Sequence, residues 1–235
     1  VPADGLIVAH GADDPVTRAI RGAKAPVQTF SLDPSSTWWA ADLRCDRGRY
    51  RFRVFRNGEF MMQASLQLPG RHNVENALAA IAICRSFDVP PTVIREAIED
   101  FRGCGRRFEI RGSWRGVTII DDYAHHPTEI QATLRAAREM FANRRIWCVC
   151  QPHQLSRTRA LFDQFAGSFS DASRVVIADI YTAREQLNEL ATKTGLQLVK
   201  AITENSGDAR HIPDSDSIIA FLEAHLEPAD VLVEI

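Results

Sequence analysis

A strict alternation of hydrophobic and polar residues marks one segment in the first half of the chain. Between Tyr50 and Val54 every second residue is hydrophobic and the residues between are arginines, which is the period of a strand with one buried face. Asn57 and Gly58 follow, a pair typical of a two-residue hairpin turn, and hydrophobic positions return over Glu59–Leu68. The pattern therefore predicts a β-hairpin.

The rest of the first half predicts two more strands and two helices, from short apolar runs and from helical spacing of hydrophobic residues. The predicted elements are the strands Gly5–His10 and Ala25–Leu32 and the helices Val74–Phe87 and Pro91–Phe101. Glycines in the segment Gly103–Arg107 then interrupt the pattern. We therefore predict one domain over residues 1–105 and a second over residues 106–235.

The hydrophobic pattern changes in the second half of the chain, where short apolar runs alternate with segments of helical periodicity. The predicted strands are Val117–Asp121, Ile146–Gln151, Val175–Asp179, Leu196–Ala201 and Val231–Ile235, and the predicted helices are Pro127–Phe141, Ser156–Ser170, Glu185–Lys193 and Ser215–His225. Such alternation forms βαβ units. The predicted fold class is therefore α/β, with a Rossmann-like, doubly wound, mostly parallel sheet in the second domain and an incomplete α/β domain with the hairpin before it.

Composition and charge exclude several classes of protein. The net charge of −2 and the pI near 6.4 give no overall field that would attract nucleic acid or an anionic membrane. The chain has no apolar run of about 18 residues, and its first residues lack the pattern of a signal peptide. The five cysteines form no CxxC pair, so we expect reduced thiols, no metal site and a cytoplasmic protein without membrane insertion.

Polar clusters follow three of the predicted strands of the second domain. They are the segments Asp121–His126, Gln151–Arg159 and Asp179–Glu185. Ligands of doubly wound sheets bind where the carboxyl ends of the parallel strands meet. One such cluster is as easily a solvated loop, but three in succession predict a binding site at this edge of the sheet.

The first cluster leads into a helix and combines several groups that can hold an anionic ligand. Two aspartates end the strand, an aromatic residue and two histidines follow, and Pro127 suits the first turn of a helix. The N–H groups at a helix start favour an anion, and an aspartate beside them can accept from ribose hydroxyls. Alternatively, Asp121 or Asp122 caps the helix and the histidines lie at the surface. A metal site at His125 and His126 is disfavoured, because adjacent residues rarely bind one ion.

Two further motifs carry groups suited to a nucleotide. In Leu68–Ala80, Asn73 and Asn76 lie one helical turn apart, and a carboxamide offers a donor and an acceptor to an adenine edge. Alternatively, Asn73 only caps the helix. Further along, a glycine-containing segment carries Arg106 and Arg107, and an arginine there could reach a phosphate. The alternative of a solvated linker residue suits Arg106 better.

The segment Gln151–Arg159 predicts a second anion contact. Ser156 is a natural N-cap, which places Arg157 in the first turn of the following helix. A cation at that position opposes the helix dipole at a cost of about 0.3 kcal/mol. Binding of an anionic ligand by Arg157 would explain why this cost is tolerated.

These motifs together resemble the Mur ligase family. The matching segments are Asp121–Glu129, with the form DDYxHHPTE of the alanine-adding members, Leu68–Ala80, similar to the adenine-contacting HNxxNxLAA helix, Arg107–Glu109, an RFE element, and Asp179–Glu185, similar to a DxYxARE loop. The resemblance covers nearly the whole chain. It implies that residues 1–105 are the second part of the central ATP-binding domain and that residues 106–235 are the C-terminal domain.

The resemblance also implies roles for particular residues. The cofactor ATP would be held by His72, Asn73 and Asn76 around adenine, by Asp122 at the ribose and by Arg107 at the terminal phosphates. The substrates UDP-N-acetylmuramate and L-alanine would meet at Tyr123, His125 and Arg157, with His125 and Arg157 as catalytic residues and Arg184 in the loop for amino-acid recognition. The family's arginine and tyrosine before Ser156 are replaced by Gln154 and Leu155, which removes one of two expected arginine contacts to the substrate.

The phosphate-binding loop GxxxxGK[ST] does not occur in the sequence. In Mur ligases this loop and the residues that bind Mg²⁺ lie upstream, so we expect Val1 to match the middle of the central domain. We also expect the principal Mg²⁺ ligands to lie outside this chain, and the chain alone to be inactive.

Three functions remain open from the sequence. The first is ATP-dependent ligation of L-alanine to UDP-N-acetylmuramate in peptidoglycan precursor synthesis, by a monomer or a homodimer. The second is the relative that attaches a recycled peptide to the same nucleotide, although the QPH…SRTR segment favours the first. The third is a non-catalytic, Rossmann-like binding module, which the missing phosphate loop favours if the chain is complete.

Overall fold

The computed structural model describes residues 1–182 and 189–235 of the chain, without the side chains of residues 189–193 and 206. These residues form two compact units. Unit 1 is Val1–Arg102 and unit 2 is Gly103–Ile235. Each unit has its own sheet and its own hydrophobic core.

Unit 1 is built on a mixed sheet of five strands. Its strands are β1 (Ile7–His10), β2 (Val27–Ser31), β3 (Trp38–Asp46), β4 (Arg49–Arg56) and β5 (Glu59–Leu66), and its helices are α1 (Asp14–Ala19), α2 (Arg71–Ser86) and α3 (Pro91–Asp100). The strands lie in the order β1-β2-β3-β4-β5. The pairs β1–β2 and β2–β3 are parallel, whereas β3–β4 and β4–β5 are antiparallel.

The predicted hairpin is confirmed as β4 and β5. Asn57 and Gly58 join the two strands with φ angles of 50° and 84°, the left-handed backbone that a type I′ turn requires. Tyr50, Phe52 and Val54 of β4 are buried in the same core as residues of α2, and the arginines between them are exposed. A slip of one residue would bury those arginines, so the alternation fixes the register of the sheet.

Unit 2 contains a six-stranded sheet with helices on both faces. Its strands are β6 (Glu109–Trp114), β7 (Val117–Asp121), β8 (Ile146–Cys150), β9 (Arg174–Ile177), β10 (Asp208–His211) and β11 (Val231–Glu234), and its helices are α4 (Pro127–Met140), α5 (Leu155–Ala160), α6 (Phe162–Ala166), α7 (Glu189–Ser206) and α8 (Ser215–His225). The strand order is β10-β9-β8-β11-β7-β6.

The predicted fold class is confirmed by this sheet. Every strand pair in it is parallel except β6–β7, which is antiparallel. Successive residues of β8 enter different cores, since Trp147 packs with α8 on one face and Cys148 packs with α4 on the other. Burial on both faces explains why the strands are continuous apolar runs.

One predicted strand is wrong. Leu196–Ala201 lies within α7, where Leu198 and Ile202 are fully buried one helical turn apart. A short apolar run fits a buried helix as well as a strand, which explains the error. The strand at the sheet edge is the more polar β10. The start of the predicted helix Glu185–Lys193 lies outside the described residues, and the described part, from Glu189, is helical and belongs to α7.

Three other features differ from the sequence prediction. The predicted helix Ser156–Ser170 is two short helices, α5 and α6, which meet at Leu161. Strands β3 and β6 were not predicted. Strand β6 has no fully buried residue and contains Gly112, with a φ of 141°, at a shift of register against β7, so its hydrophobic pattern is weak.

The five cysteines are free thiols. Cys148 and Cys150 are buried in the core of unit 2, and burial raises the pKa of both thiols, that of Cys150 to about 12. These two thiols are therefore protonated and unreactive at neutral pH. Within residues 1–182 and 189–235, no helix combines the length and the apolar character needed to cross a bilayer.

Candidate functional site

The loop from β7 to α4 contains the histidines and aspartates of the first motif. Helix α4 begins at Pro127, and His126 is its N-cap, accepting from the N–H of Thr128 at 3.3 Å. Glu129 completes a capping box by accepting from the N–H of His126 at 3.2 Å. The alternative in which Asp121 or Asp122 caps this helix is therefore wrong.

Asp122 is buried and bound to the backbone on two sides. Only 6% of the surface of Asp122 is exposed. Its two carboxylate oxygens accept from the N–H groups of Phe108 and Ala124, each at 2.8 Å. Burial raises the pKa of Asp122, against the opposing effect of these bonds and of a hydrogen bond from Thr133. The carboxylate therefore connects the start of unit 2 to the loop after β7. A ribose contact by Asp122 remains a prediction.

The segment around Arg107 has an unusual backbone. Arg106 and Phe108 have φ angles of 55° and 48°, in the left-handed region that residues other than glycine seldom occupy. The carbonyl of Arg106 accepts from the N–H of Tyr123 at 2.8 Å, and the Phe108 side chain is buried in the core. The backbone on both sides of Arg107 is thereby fixed.

The two arginine side chains of this segment have different neighbours. Arg106 lies 3.3 Å from Asp121 and covers the Tyr123 ring at 4.9 Å, so it is more than a solvated linker residue. Arg107 lies 3.8 Å from Glu129, with 56% of its side chain exposed. Arg107 is thus held near α4 while its guanidinium stays open to solvent.

His125 lies beside Tyr123. The two rings meet edge to face at 5.4 Å. Nδ1 of His125 lies 3.0 Å from the carbonyl oxygen of Tyr123. Because a carbonyl only accepts, Nδ1 carries the proton in the neutral ring and Nε2 is the basic nitrogen.

The loop after β8 leads into α5, and Arg157 is the third residue of this six-residue helix and belongs to its last turn, not only to the first turn predicted for it. The expected N-cap at Ser156 is wrong, because the helix begins at Leu155 and Gln154 occupies the cap position with a φ of 70°. The Gln154 carbonyl accepts from both the N–H and the hydroxyl of Thr158, which starts the helix earlier. Leu155 is buried against Ile180, so it fills a core position.

His153 is a site residue that the sequence interpretation did not single out. Partial burial lowers its pKa, and the positive charges of Arg157 and Arg106, with that of His125 when its ring is protonated, lower it further. These charges come from the loops after β7 and β8 and from the segment before β6. The carboxyl ends of β7 and β8 therefore share a cation-rich edge, which suits an anionic ligand. The sequence feature that could have identified His153 was its position in the strand-end segment Gln151–Arg159.

The third strand-end cluster is described only in part. The backbone of Tyr181 pairs with that of His153, and their rings lie 5.1 Å apart. Asp179 lies 2.9 Å from Nε2 of His211 on β10. Arg184, predicted to contribute to amino-acid recognition, lies outside the described residues.

In unit 1, the two asparagines of α2 share one face. Helix α2 follows Gly70, whose φ is 90°, so Asn73 is not its N-cap. The Asn73 amide donates to the carbonyl of Pro69 at 2.8 Å, and its oxygen accepts from Asn76 at 3.2 Å. Asn76 is exposed, and His72 beside them is half-buried. The amide of Asn76 is oriented by Asn73 and can present its oxygen to a ligand.

The described residues contain no cluster that would hold a magnesium ion by itself. Within residues 1–182 and 189–235, no three His, Cys, Asp or Glu side chains lie close enough to bind one metal together. In unit 2, the cationic side chains fit the charge of phosphate groups. In unit 1, the oriented carboxamides of α2 fit the hydrogen-bonding groups of a base.

Comparison with known proteins gives two family matches. The profile described as Mur ligase, glutamate ligase domain, matches residues 106–234, and the profile described as Mur ligase middle domain matches residues 1–84. The UDP-N-acetylmuramate–L-alanine ligase of Caldanaerobacter subterraneus subsp. tengcongensis is 39% identical over 236 residues, which cover 100% of this chain and 51% of that protein. The protein of that name from Clostridium novyi is 39% identical over 235 residues, with 100% and 50% covered.

Solved structures give the same result. The UDP-N-acetylmuramate-alanine ligase of Thermotoga maritima matches with a TM-score of 0.75 and 27% identity, over 97% of this chain and 47% of that one. A murein peptide ligase from Psychrobacter arcticus matches with a TM-score of 0.70 and 27% identity, over 100% and 48%. The chain spans about half the length of the curated relatives it matches. Because the two family matches together span most of its residues, the chain belongs to the Mur ligase family.

Proposed function

We propose that the protein of which this chain is part is an ATP-dependent ligase that joins L-alanine to the lactyl carboxylate of UDP-N-acetylmuramate. The observation that carries the proposal is the cation-rich edge at the ends of β7 and β8, formed within the motif DDYAHHPTE. The relatives named UDP-N-acetylmuramate–L-alanine ligase support it, since they match along the whole chain. A cytoplasmic location and a homodimer are consistent with this role.

We assign residues 1–105 to the central ATP-binding domain and residues 106–235 to the C-terminal domain. In the first, the carboxamides of Asn73 and Asn76 would bind the adenine edge, with His72 close to the nucleotide. The hydrogen bond between the two asparagines supports this role, because it fixes which amide group faces the base.

In the second domain, Arg107 would contact the terminal phosphates of ATP and Asp122 the ribose. The exposure of the Arg107 guanidinium supports its role. Asp122 has little exposed surface and accepts hydrogen bonds from two backbone N–H groups. A carboxylate has about four acceptor sites, so acceptor capacity is left for a ribose hydroxyl. Mg²⁺, when bound, would neutralise phosphate charge.

The reaction takes place in two successive steps. The substrate carboxylate attacks the γ-phosphorus of ATP, which gives an acyl phosphate and ADP. The amine of L-alanine then attacks the acyl carbon, the amide bond forms, and phosphate leaves with the electrons of the C–O bond. Positioning and charge stabilisation carry most of the rate in such transfers.

Tyr123, His125 and Arg157 would line the place where the acyl phosphate meets the amino acid. The Nε2 atom of His125 is the basic nitrogen of its ring, because Nδ1 donates to the Tyr123 carbonyl, and it can accept the proton that the amine loses. Arg157 would hold the anionic groups of the substrate. Arg184 would assist in recognising the amino acid.

The test is phosphate release by the full-length protein with ATP and UDP-N-acetylmuramate. L-alanine should stimulate release, with formation of the amide product. The second candidate, attachment of a recycled peptide, is favoured by the structural match to the murein peptide ligase. Stimulation by a tripeptide and not by L-alanine would establish that function. Stimulation by neither would leave the non-catalytic binding module.

A further inference from the structure

Glu129 is the last residue of the motif DDYAHHPTE and has no role in the reaction proposed above. It lies in the first turn of α4, with 37% of its side chain exposed. We propose that Glu129 is a positioning residue that fixes where the side chains of Arg107 and His125 lie relative to each other. The inference rests on the proposed function for what these two residues do, but the contacts that carry it are independent of that function.

One oxygen of Glu129 orders the histidine loop. Oε2 accepts from the backbone N–H of His125 at 3.0 Å and from that of His126 at 3.2 Å. The same oxygen lies 3.6 Å from Nδ1 of the His125 ring. Since this ring also donates to the carbonyl of Tyr123, both the backbone and the tautomer of His125 are fixed.

The other oxygen of Glu129 faces Arg107. Oε1 lies 3.8 Å from Nη1 of the guanidinium, and both side chains are partly exposed. An ion pair of this length and exposure is weak. The guanidinium can therefore turn from Glu129 to a phosphate oxygen at little cost, while the backbone of Arg107 stays fixed by the bond from Phe108 to Asp122.

The charge of Glu129 matches this arrangement. Burial would raise its pKa, but the hydrogen bonds from His125 and His126 and the positive charge of Arg107, with that of His125 when its ring is protonated, hold the pKa of Glu129 below its ordinary value. Glu129 is thus a carboxylate at neutral pH. It balances the charge of the Arg107 guanidinium until an anionic ligand takes its place.

The competing explanation is that Glu129 only caps the helix. Substitution of Glu129 by glutamine separates the two roles, because glutamine serves equally well in a capping box. In Glu129→Gln, the amide oxygen can still accept from the two loop N–H groups. The amide NH₂ group then replaces the oxygen that faces Arg107, and the attraction to the guanidinium is lost.

The first experiment uses the 235-residue chain. Thermal unfolding and the NMR signal of the Arg107 Nε–H group are measured for the wild type, Glu129→Gln and Glu129→Ala. We expect the Tm of Glu129→Gln to stay within about 1 °C and that of Glu129→Ala to fall by about 3 °C, as loss of a cap requires. The Arg107 signal should shift and sharpen in both variants.

The control is Glu223→Gln, the same change at an exposed position of α8, which should leave the Tm and the Arg107 signal unchanged. An Arg107 signal identical in wild type and Glu129→Gln would overturn the proposal and leave Glu129 as a helix cap.

The second experiment uses the full-length enzyme. Glu129→Gln should lower kcat by about tenfold with little change in KM for ATP, because a misplaced group slows the transition state more than binding. If Glu129 acts through Arg107, the double variant with Arg107→Ala should be no slower than Arg107→Ala alone. Additive losses would refute the positioning role. A wild type without L-alanine-dependent turnover would contradict the proposed function, and the NMR result would still decide the Arg107 contact.

Discussion

The carboxylate of Asp122 accepts the backbone N–H of Phe108 at 2.8 Å, across a separation of 14 residues. Phe108 has a φ of 48°, a left-handed conformation that costs free energy in a residue other than glycine. The bond from a buried carboxylate, together with burial of the Phe108 ring, offsets that cost. Asp122 therefore stabilises the conformation of the segment that carries Arg107.

Replacing Asp122 by asparagine should weaken unit 2. One of the two carboxylate oxygens becomes an NH₂ group that faces a backbone N–H, so a buried donor loses its acceptor. Such a loss costs about 2 kcal/mol, and we expect a fall of that size in the free energy of unfolding, measured with urea.

The matched control for this change is the neighbouring residue. Asp121→Asn removes an ion pair with Arg106, whose side chain is 59% exposed, and pairs of this kind contribute roughly 0.5 kcal/mol. Equal losses in the two variants would contradict the role given to the Phe108 bond.

The hydrophobic pattern was enough to predict most of the fold. The hairpin at Asn57 and Gly58 follows from a period of two and a specific turn pair, and the strands of unit 2 from apolar runs of the right length. The hydrophobic pattern gave the wrong element at Leu196–Ala201, because a short apolar run fits a strand or a helix and this one lies in α7. It did not reveal β10, because that strand is mostly polar.

The candidate site was predictable in its residue types and less so in its contacts. The motif Asp121–Glu129 indicated an anion site from local sequence alone. The bond from Phe108 to Asp122 and the approach of Arg107 to Glu129 join residues far apart in sequence, and only the folded sheet brings them together. His153 was overlooked for the same reason, because its charged neighbours lie on other segments.

A second buried aspartate should show a clear dependence of stability on pH. Asp230, with only 4% of its side chain exposed, accepts two hydrogen bonds from Arg145 at 2.8 Å and one from Trp147 at 3.1 Å. Burial would raise its pKa, but these bonds, one from the N–H of Glu227 and the Arg145 charge lower the pKa of Asp230 below 3.8. Its contribution to stability is therefore present above the unfolded value and is lost as pH falls through the folded pKa.

We expect Asp230→Asn to lower the free energy of unfolding by about 2 kcal/mol at neutral pH. The difference from wild type should shrink as the pH falls from the unfolded pKa through the lower folded pKa, since below the folded pKa Asp230 is protonated and uncharged in the folded protein as well. The control is Asp208→Asn, which removes the more exposed pairs with Arg174 and Arg210 and should cost roughly 0.5 kcal/mol. A difference between wild type and Asp230→Asn that grows on acidification would refute this account.

The ribose contact assigned to Asp122 can be tested in the full-length enzyme. Asp122→Ala should raise KM for ATP by about tenfold, the effect of a lost hydrogen bond to a charged group, while KM for L-alanine stays within about twofold. The reverse pattern would contradict the assignment. Wild type should also prefer ATP to 2′- or 3′-deoxy-ATP, and this preference should disappear in Asp122→Ala. A preference that persists would limit Asp122 to holding the Phe108 segment.

Gln154 offers a test of substrate binding, since an arginine stands at this position in the alanine-adding pattern to which the segment is similar. Gln154 is half-buried, and its backbone is fixed by the bond from its N–H to the carbonyl of Tyr181 at 2.8 Å. An arginine can therefore replace it without a change of backbone and adds a cation beside Arg157. In the full-length enzyme, Gln154→Arg should lower KM for UDP-N-acetylmuramate by about fivefold, as one charge-assisted hydrogen bond would.

Gln164→Arg, with the same charge on the exposed side of α6, should leave KM unchanged. An equal fall in KM in both variants would attribute the effect to overall charge, and no fall in either would remove position 154 from the substrate site.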